Sequence, residues 1–304
     1  MGTRGTLLAL AVALGACDCD GREPALWVGE RGAPLVLSFV SAAVPGAVAA
    51  APPDLDTPVR ALLVRRDGAI VALQEPEAGS PPVPVPPAVL LSRAGRRIAA
   101  FAGTDAGGSR LFSPGAPPWA AAEDLSGRVW VTGRPSPVVY APSGILERLA
   151  EALPSASRGI AALPDGRMVV SYGVQDLAIF AADGTRIGTV TPVFGASYGG
   201  IDALRAEEGG MLLVATRRFG VTSAGIVLRA KLGAGLSLEQ DPELSTTIGA
   251  AIPSALDVHG GRILVAPSLG PLAAGACARW LSHDLATDGG CAAGGAHRGA
   301  AWVE

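Results

Sequence analysis

Residues 159–190 decide the architecture: Gly159-Ile-Ala-Ala-Leu163, Pro164-Asp165-Gly166, Arg167-Met-Val-Val-Ser-Tyr172, then Leu177-Ala-Ile-Phe-Ala181, Asp183-Gly184 and Arg186-Ile-Gly-Thr-Val190. Short apolar runs alternate with Asp-Gly pairs, which permit the positive backbone angles of two-residue hairpin turns. The stretch therefore predicts four strands and two tight turns. The layout recurs on both sides. Residues 119–149 carry it with turns at Ser126-Gly127 and Ser143-Gly144, residues 200–232 with Gly209-Gly210 and Ala224-Gly225, and residues 254–282 with Gly260-Gly261. An earlier copy runs Val59–Val64, turns at Asp67-Gly68 and continues to Leu73.

The glycines of the first turn fall at 68, 127, 166, 210 and 261, giving spacings of 59, 39, 44 and 51. Periods near 40 to 50 with four strands each mark a β-propeller, in which every sheet covers its neighbour's apolar face. The chain is thus expected to be all-β, a single β-propeller of four-stranded blades, with an open β-sandwich as the competing architecture. Five copies are visible. Leftover strands at Ala25–Val28, Pro34–Val40 and Ala300–Val303 are expected to combine into a sixth, so six blades are expected ahead of five or seven. The proline-rich stretch Glu75–Pro87, with six prolines, reads as a surface insertion between strands of one blade.

The phrase from Gly159 to Ser171 resembles a blade of the NHL-repeat and gluconolactonase-like propellers, where a buried first strand leads into a Pro-Asp-Gly turn. The resemblance runs from about residue 60 to 282 and implies the propeller fold. It also implies a divalent cation at the propeller axis, held by Glu, Asn and Asp. This chain contains no asparagine, so the likeness is expected to stop at the fold, with no cofactor and no metal. Carboxylates that a hard cation could use instead are Glu123, Asp202 and Asp257, each read first as a turn or ladder-end residue. The histidines His259, His283 and His297 are too far apart to form a ligand set by spacing.

The N-terminal residues supply an address. Arg4 precedes an uncharged run from Thr6 to Ala16, the build of a secretory signal; as a helix it would cover roughly 16 Å, about half a hydrocarbon core. Leu14-Gly15-Ala16-Cys17 resembles the lipobox of bacterial lipoproteins. Residues 1–16 are therefore expected to be a cleaved signal peptide, 17–24 a tether lipidated at Cys17, and 25–304 the propeller. That places the protein in the bacterial cell envelope, extracytoplasmic and lipid-anchored to the inner or outer membrane. The uncharged stretch Ala33–Pro53 is interrupted by Pro45-Gly46 and reads as strand rather than span. Of the other cysteines, Cys277 and Cys291 form the expected disulfide, closing a Gly- and Ala-rich loop of about fifteen residues worth roughly 3 kcal/mol; Cys19 is left as a free thiol.

Charge and motifs narrow the function. A net charge of -3 with scattered arginines offers no basic face for phosphates, so nucleic acid is excluded as a partner. Gly195-Ala-Ser197-Tyr-Gly199 matches a nucleophile-elbow pattern, but a strand rather than a helix is expected after it, and Asp257 with His259, or His283 with Asp284, would have to complete a triad. No catalytic residue is expected. The reading is a membrane-anchored, non-enzymatic binding or scaffold module for an envelope protein, peptide or glycan. The alternatives are a propeller hydrolase or lyase with an axial divalent cation, and a permanent accessory subunit of an envelope or secretion complex.

Overall fold

The structure is a computed structural model and describes residues 25–30, 37–41, 48–51, 55, 57, 59–76, 85–92, 96–190, 198–218, 224–233, 238–247, 252–259, 262–268, 277–285, 288–294 and 297–303. Strands β1 (Ala25–Glu30), β2 (Leu37–Ser41) and β3 (Val48–Ala51) come first. A blade of consecutive strands follows: β4 (Val59–Val64), β5 (Ile70–Gln74), β6 (Ala88–Leu91) and β7 (Arg97–Ala100). The next holds β8 (Ala121–Glu123), β9 (Val129–Val131), β10 (Val138–Tyr140) and β11 (Leu146–Leu149). After it come β12 (Ser157–Ala162), β13 (Met168–Tyr172), β14 (Asp176–Phe180) and β15 (Arg186–Val190). Then come β16 (Ala203–Ala206), β17 (Met211–Arg218), β18 (Ala224–Leu232) and β19 (Leu238–Thr247). The last sequential blade is β20 (Ile252–His259), β21 (Arg262–Ser268), β22 (Cys277–Ser282) and β23 (Asp288–Gly294). Strand β24 (His297–Val303) returns to pair antiparallel with β1, in a sheet ordered β24-β1-β2-β3.

The chain is a single all-β propeller of four-stranded antiparallel sheets. The sequence shows five copies and predicts a sixth blade from leftover strands of both ends. Five blades are built of consecutive strands, whereas the remaining four-stranded sheet is a composite of both chain ends. The uncharged run after Ala33 becomes β2 and β3, and no helix among the described residues is long and apolar enough to cross a membrane. The proline-rich stretch lies between β5 and β6, and its residues 77–84 fall outside the described ones.

Period-2 alternation explains the packing. In β13, Val169 faces one neighbouring sheet with Leu177 and Ile179, while Met168 and Val170 face the other with Ala178 and Phe180. Val169 and Ile179 are direct cross-strand partners and have no exposed surface. The same division repeats in the neighbouring blades, so among the described residues apolar layers lie between blades in place of one central core. At the inner edge β12 and β16 approach so closely that a Cβ on Gly159 would sit 3.0 Å from the backbone of Ala203 and Leu204.

The turns differ from the two-residue form expected of Asp-Gly. Gly166 N–H donates to the Leu163 carbonyl at 3.0 Å, and Leu163 N–H donates to the Arg167 carbonyl at 2.8 Å, leaving a three-residue loop. Only the glycine takes a positive φ, +89° at Gly166, which makes the unit a type I turn closed by a glycine bulge. The aspartate works through its side chain: Asp165 Oδ1 accepts from Arg167 N–H at 3.1 Å. Identical backbone pairs close the loops at Gly68, Gly127, Gly144 and Gly184. The turn expected at Ala224-Gly225 is also corrected, because both residues belong to β18, paired with Arg218 and Arg217. Likewise the segment from Cys277 to Cys291, expected as a loop, is mostly the strands β22 and β23.

A hydroxyl ties successive blades together. Ser171 Oγ donates to the Ile201 carbonyl at 3.0 Å and Thr132 Oγ1 to the Arg158 carbonyl, each in the following blade, while Thr216 Oγ1 donates at 3.0 Å to the Gly200 carbonyl that leads into its own blade. Each hydroxyl lies in or just beyond a second strand and is buried, so its bond compensates its desolvation.

Candidate functional site

The first strand of each sequential blade lies innermost, with β4 beside β8, β8 beside β12, β12 beside β16 and β16 beside β20; β24 sits between β20 and β4. Their later residues surround a cavity of about 200 Å³ on the axis, lined by Leu62 to Val64 and Arg66, Ala121 to Glu123, Ile160 to Ala162, Leu204 to Ala206, and Leu256 with Asp257. Each of these strands is the edge of its sheet, so main-chain N–H and C=O groups turn toward the axis. That volume is below the roughly 300–1,000 Å³ of sites for drug-sized ligands.

Ion pairs dominate the end where the strands finish. Glu123, 8% exposed, accepts from Arg65 Nε at 3.2 Å through Oε1 and from the Arg66 backbone N–H at 2.7 Å through Oε2. Asp257 accepts from its neighbour's Val258 N–H at 2.9 Å and pairs with Arg205 Nη2 at 2.9 Å. Beside the cavity rim Glu207 and Arg229, both 6% exposed, form a two-pronged pair at 2.6 and 3.0 Å. His283 Nε2 lies 3.2 Å from the same carboxylate and is itself 58% exposed.

The opposite end, where the strands start, is built around one aromatic ring. The Trp119 indole N–H reaches past β12 to donate to the Asp202 carbonyl at 3.1 Å. Arg60 lies 4.3 Å and Arg158 5.4 Å from the ring centroid, in cation–π contact. Arg158 in turn pairs with Asp202 at 3.1 Å, and Arg60 with Glu75 at 3.1 Å. Four innermost strands are thereby linked across the start of the axis by one side chain and its partners.

The three carboxylates singled out as possible cation ligands are therefore placed apart and occupied. Glu123 and Asp257 line the cavity from opposite sides of the series, Asp202 belongs to the other end, and each holds an arginine. Among the described residues no group of three or more His, Cys, Asp or Glu is arranged for a metal ion. His283 meets Glu207, while Ser197 and Cys17 fall outside the described residues, as do the side chains of His259 and His297. Cys277 and Cys291 stand on the paired strands β22 and β23, opposite Gly294 and Arg279 respectively. Arg65, Arg66, Arg205 and Trp119 are the site residues that the sequence reading missed. A signal existed: Arg65 and Arg66 stand between a first strand and its turn, and Arg205 stands in a first strand.

No protein-family model matches the sequence, and no curated protein matches it. Among solved structures, a Bacteroides caccae protein of unknown function is similar with a TM-score of 0.63 at 12% identity, over 93% of this chain and 99% of that one. A gluconolactonase from Xanthomonas campestris gives 0.52 at 17% identity, over 81% and 84%. The propeller of Dos1 gives 0.51 at 7% identity, over 77% and 61%. At such identities the likeness shows the fold, and what this chain shares with the gluconolactonase is its propeller architecture.

Proposed function

We propose that this chain is a membrane-anchored, extracytoplasmic binding propeller whose axial cavity receives a small polar ligand without hydrolysing it. In this reading Cys17 carries the lipid, and the sheet β24-β1-β2-β3 is the sixth blade that closes the ring. The observation that supports it best is the state of the axial carboxylates: Glu123 and Asp257 are neutralised by Arg65 and Arg205, so the chemistry left at the cavity is recognition. A second reading, a propeller hydrolase with an axial cation, draws on the structural likeness to a gluconolactonase. It requires both carboxylates to leave their arginines.

Thermal melting against a panel of small polar metabolites, with a chelator present, separates the two. Stabilisation of the native chain that disappears in Ala162→Phe, which fills the cavity, is the expected result. Turnover of a simple lactone that requires added divalent cation and is lost in Glu123→Gln would establish the hydrolase instead. Fatty-acid labelling tests the anchor: Cys17→Ala should abolish incorporation, and equal label in both forms removes the lipoprotein reading.

A further inference from the structure

Given the axial binding reading, on which this inference rests, we infer that the ligand is a small monocarboxylate held by Arg66 and Arg205. Both residues line the cavity. Among the described residues, the Arg205 guanidinium has one protein partner, Asp257 at 2.9 Å, and that of Arg66 has one, the Leu125 carbonyl at 3.4 Å. A guanidinium carries five N–H donors in a planar fork, so most of this donor capacity is open to a ligand.

The acceptors of the same cavity are committed. Both oxygens of Glu123 are bound, one by Arg65 and one by the Arg66 backbone, and Asp257 Oδ1 is shared between Arg205 and Val258 N–H. Its described side-chain acceptors are taken up, and what its side chains offer is two forks. A planar carboxylate matches a fork with two parallel hydrogen bonds. The count of charge selects a monoanion. Arg65 is shared between Glu123 and Asp67, and Asp257 is paired with Arg205, so with Arg66 three arginines face three carboxylates and a single negative charge unbalances the group least. A doubly charged phosphate would bring twice that charge into a space already holding two carboxylates. The volume of about 200 Å³ sets the size.

Isothermal titration of the full chain with sodium acetate, sodium glycolate, inorganic phosphate and glucose, chelator present, tests this. The monocarboxylates should bind and phosphate should bind more weakly or not at all. Arg205→Gln and Arg66→Gln should each weaken acetate or glycolate by about tenfold or more. Arg66 is exposed, so Arg66→Gln should melt with the native chain and keeps the test valid if Arg205→Gln is unstable. Equal carboxylate affinity in native chain and both variants, tighter binding of phosphate, or no binding of either carboxylate overturns the inference. Binding of glucose alone, lost in Ala162→Phe, also overturns it while leaving the axial cavity as the binding site.

Discussion

The two ends of the propeller axis are made by the same strands and yet solve different problems. Where β4, β8, β12 and β16 start, Trp119 packs against Arg60 and Arg158 and donates to the Asp202 carbonyl, so one ring links the strands at that end. Where they finish, Glu123, Asp257 and Glu207 are each bound to an arginine from a neighbouring strand or blade, and Glu123 and Asp257 border a cavity. An aromatic ring fills space, whereas a ring of ion pairs leaves it and sets its polarity. The two ends therefore differ in what they leave behind, a filled start and a finish that keeps a cavity bordered by charge.

The largest effect expected is at the finishing end. Glu207→Ala leaves Arg229 buried without its charge partner and should cost about 3–5 kcal/mol, read as a drop in the urea midpoint. A loss below about 1 kcal/mol would show that this end is not held by its ion pairs. Between the ends, Ile179→Ala removes methyl groups from a fully buried layer and should cost about 3 kcal/mol with no change at either end of the axis. At the starting end, Trp119→Ala should cost about 2 kcal/mol, since the ring is only partly buried, and should make the cavity continuous with solvent on both sides. Stabilisation by an axial ligand that survives this change unaltered would show that Trp119 does not form its floor.

The smallest effect belongs to the turns. Asp165 is held below its ordinary value of 3.8, first by the side-chain hydrogen bond from Arg167. A depressed folded value means that its contribution is present above about pH 4 and is lost as pH falls through the folded value. Asp165→Asn should therefore lower the melting temperature slightly at pH 7, by well under 1 kcal/mol for so exposed a pair, and by less as the pH falls below about 4. A difference that grows on acidification would reverse the assignment.

Local chemistry made most of the fold readable. Turn glycines at 68, 127, 166 and 210 all take positive φ, and the alternation in Arg167–Tyr172 places Val169 against Ile179. The turn type was misread because Asp-Gly was credited with two positive angles, while the aspartate supplies an acceptor instead. Strands β3, β22 and β23 carry alanine, glycine and little β-branching, so no period-2 signal marks them; they exist because a neighbouring strand completes their ladders. The site was least legible. Arg65 meets Glu123 from 58 positions away and Trp119 meets Asp202 from 83, contacts that arise only when blades are set around an axis.

The pairing of β24 with β1 also governs the order of assembly. β1 is bonded to β2 on one side and to β24 on the other, so until the last strand of the chain arrives one row of its backbone donors and acceptors has no partner. A chain synthesised from its N-terminus presents that edge for as long as the rest is being made. Another copy's β24 fits it as well as its own does, and the exchange would link two rings through strands instead of faces. Dilution during refolding thus selects the single ring, and a chain cut before His297 retains an edge that invites association.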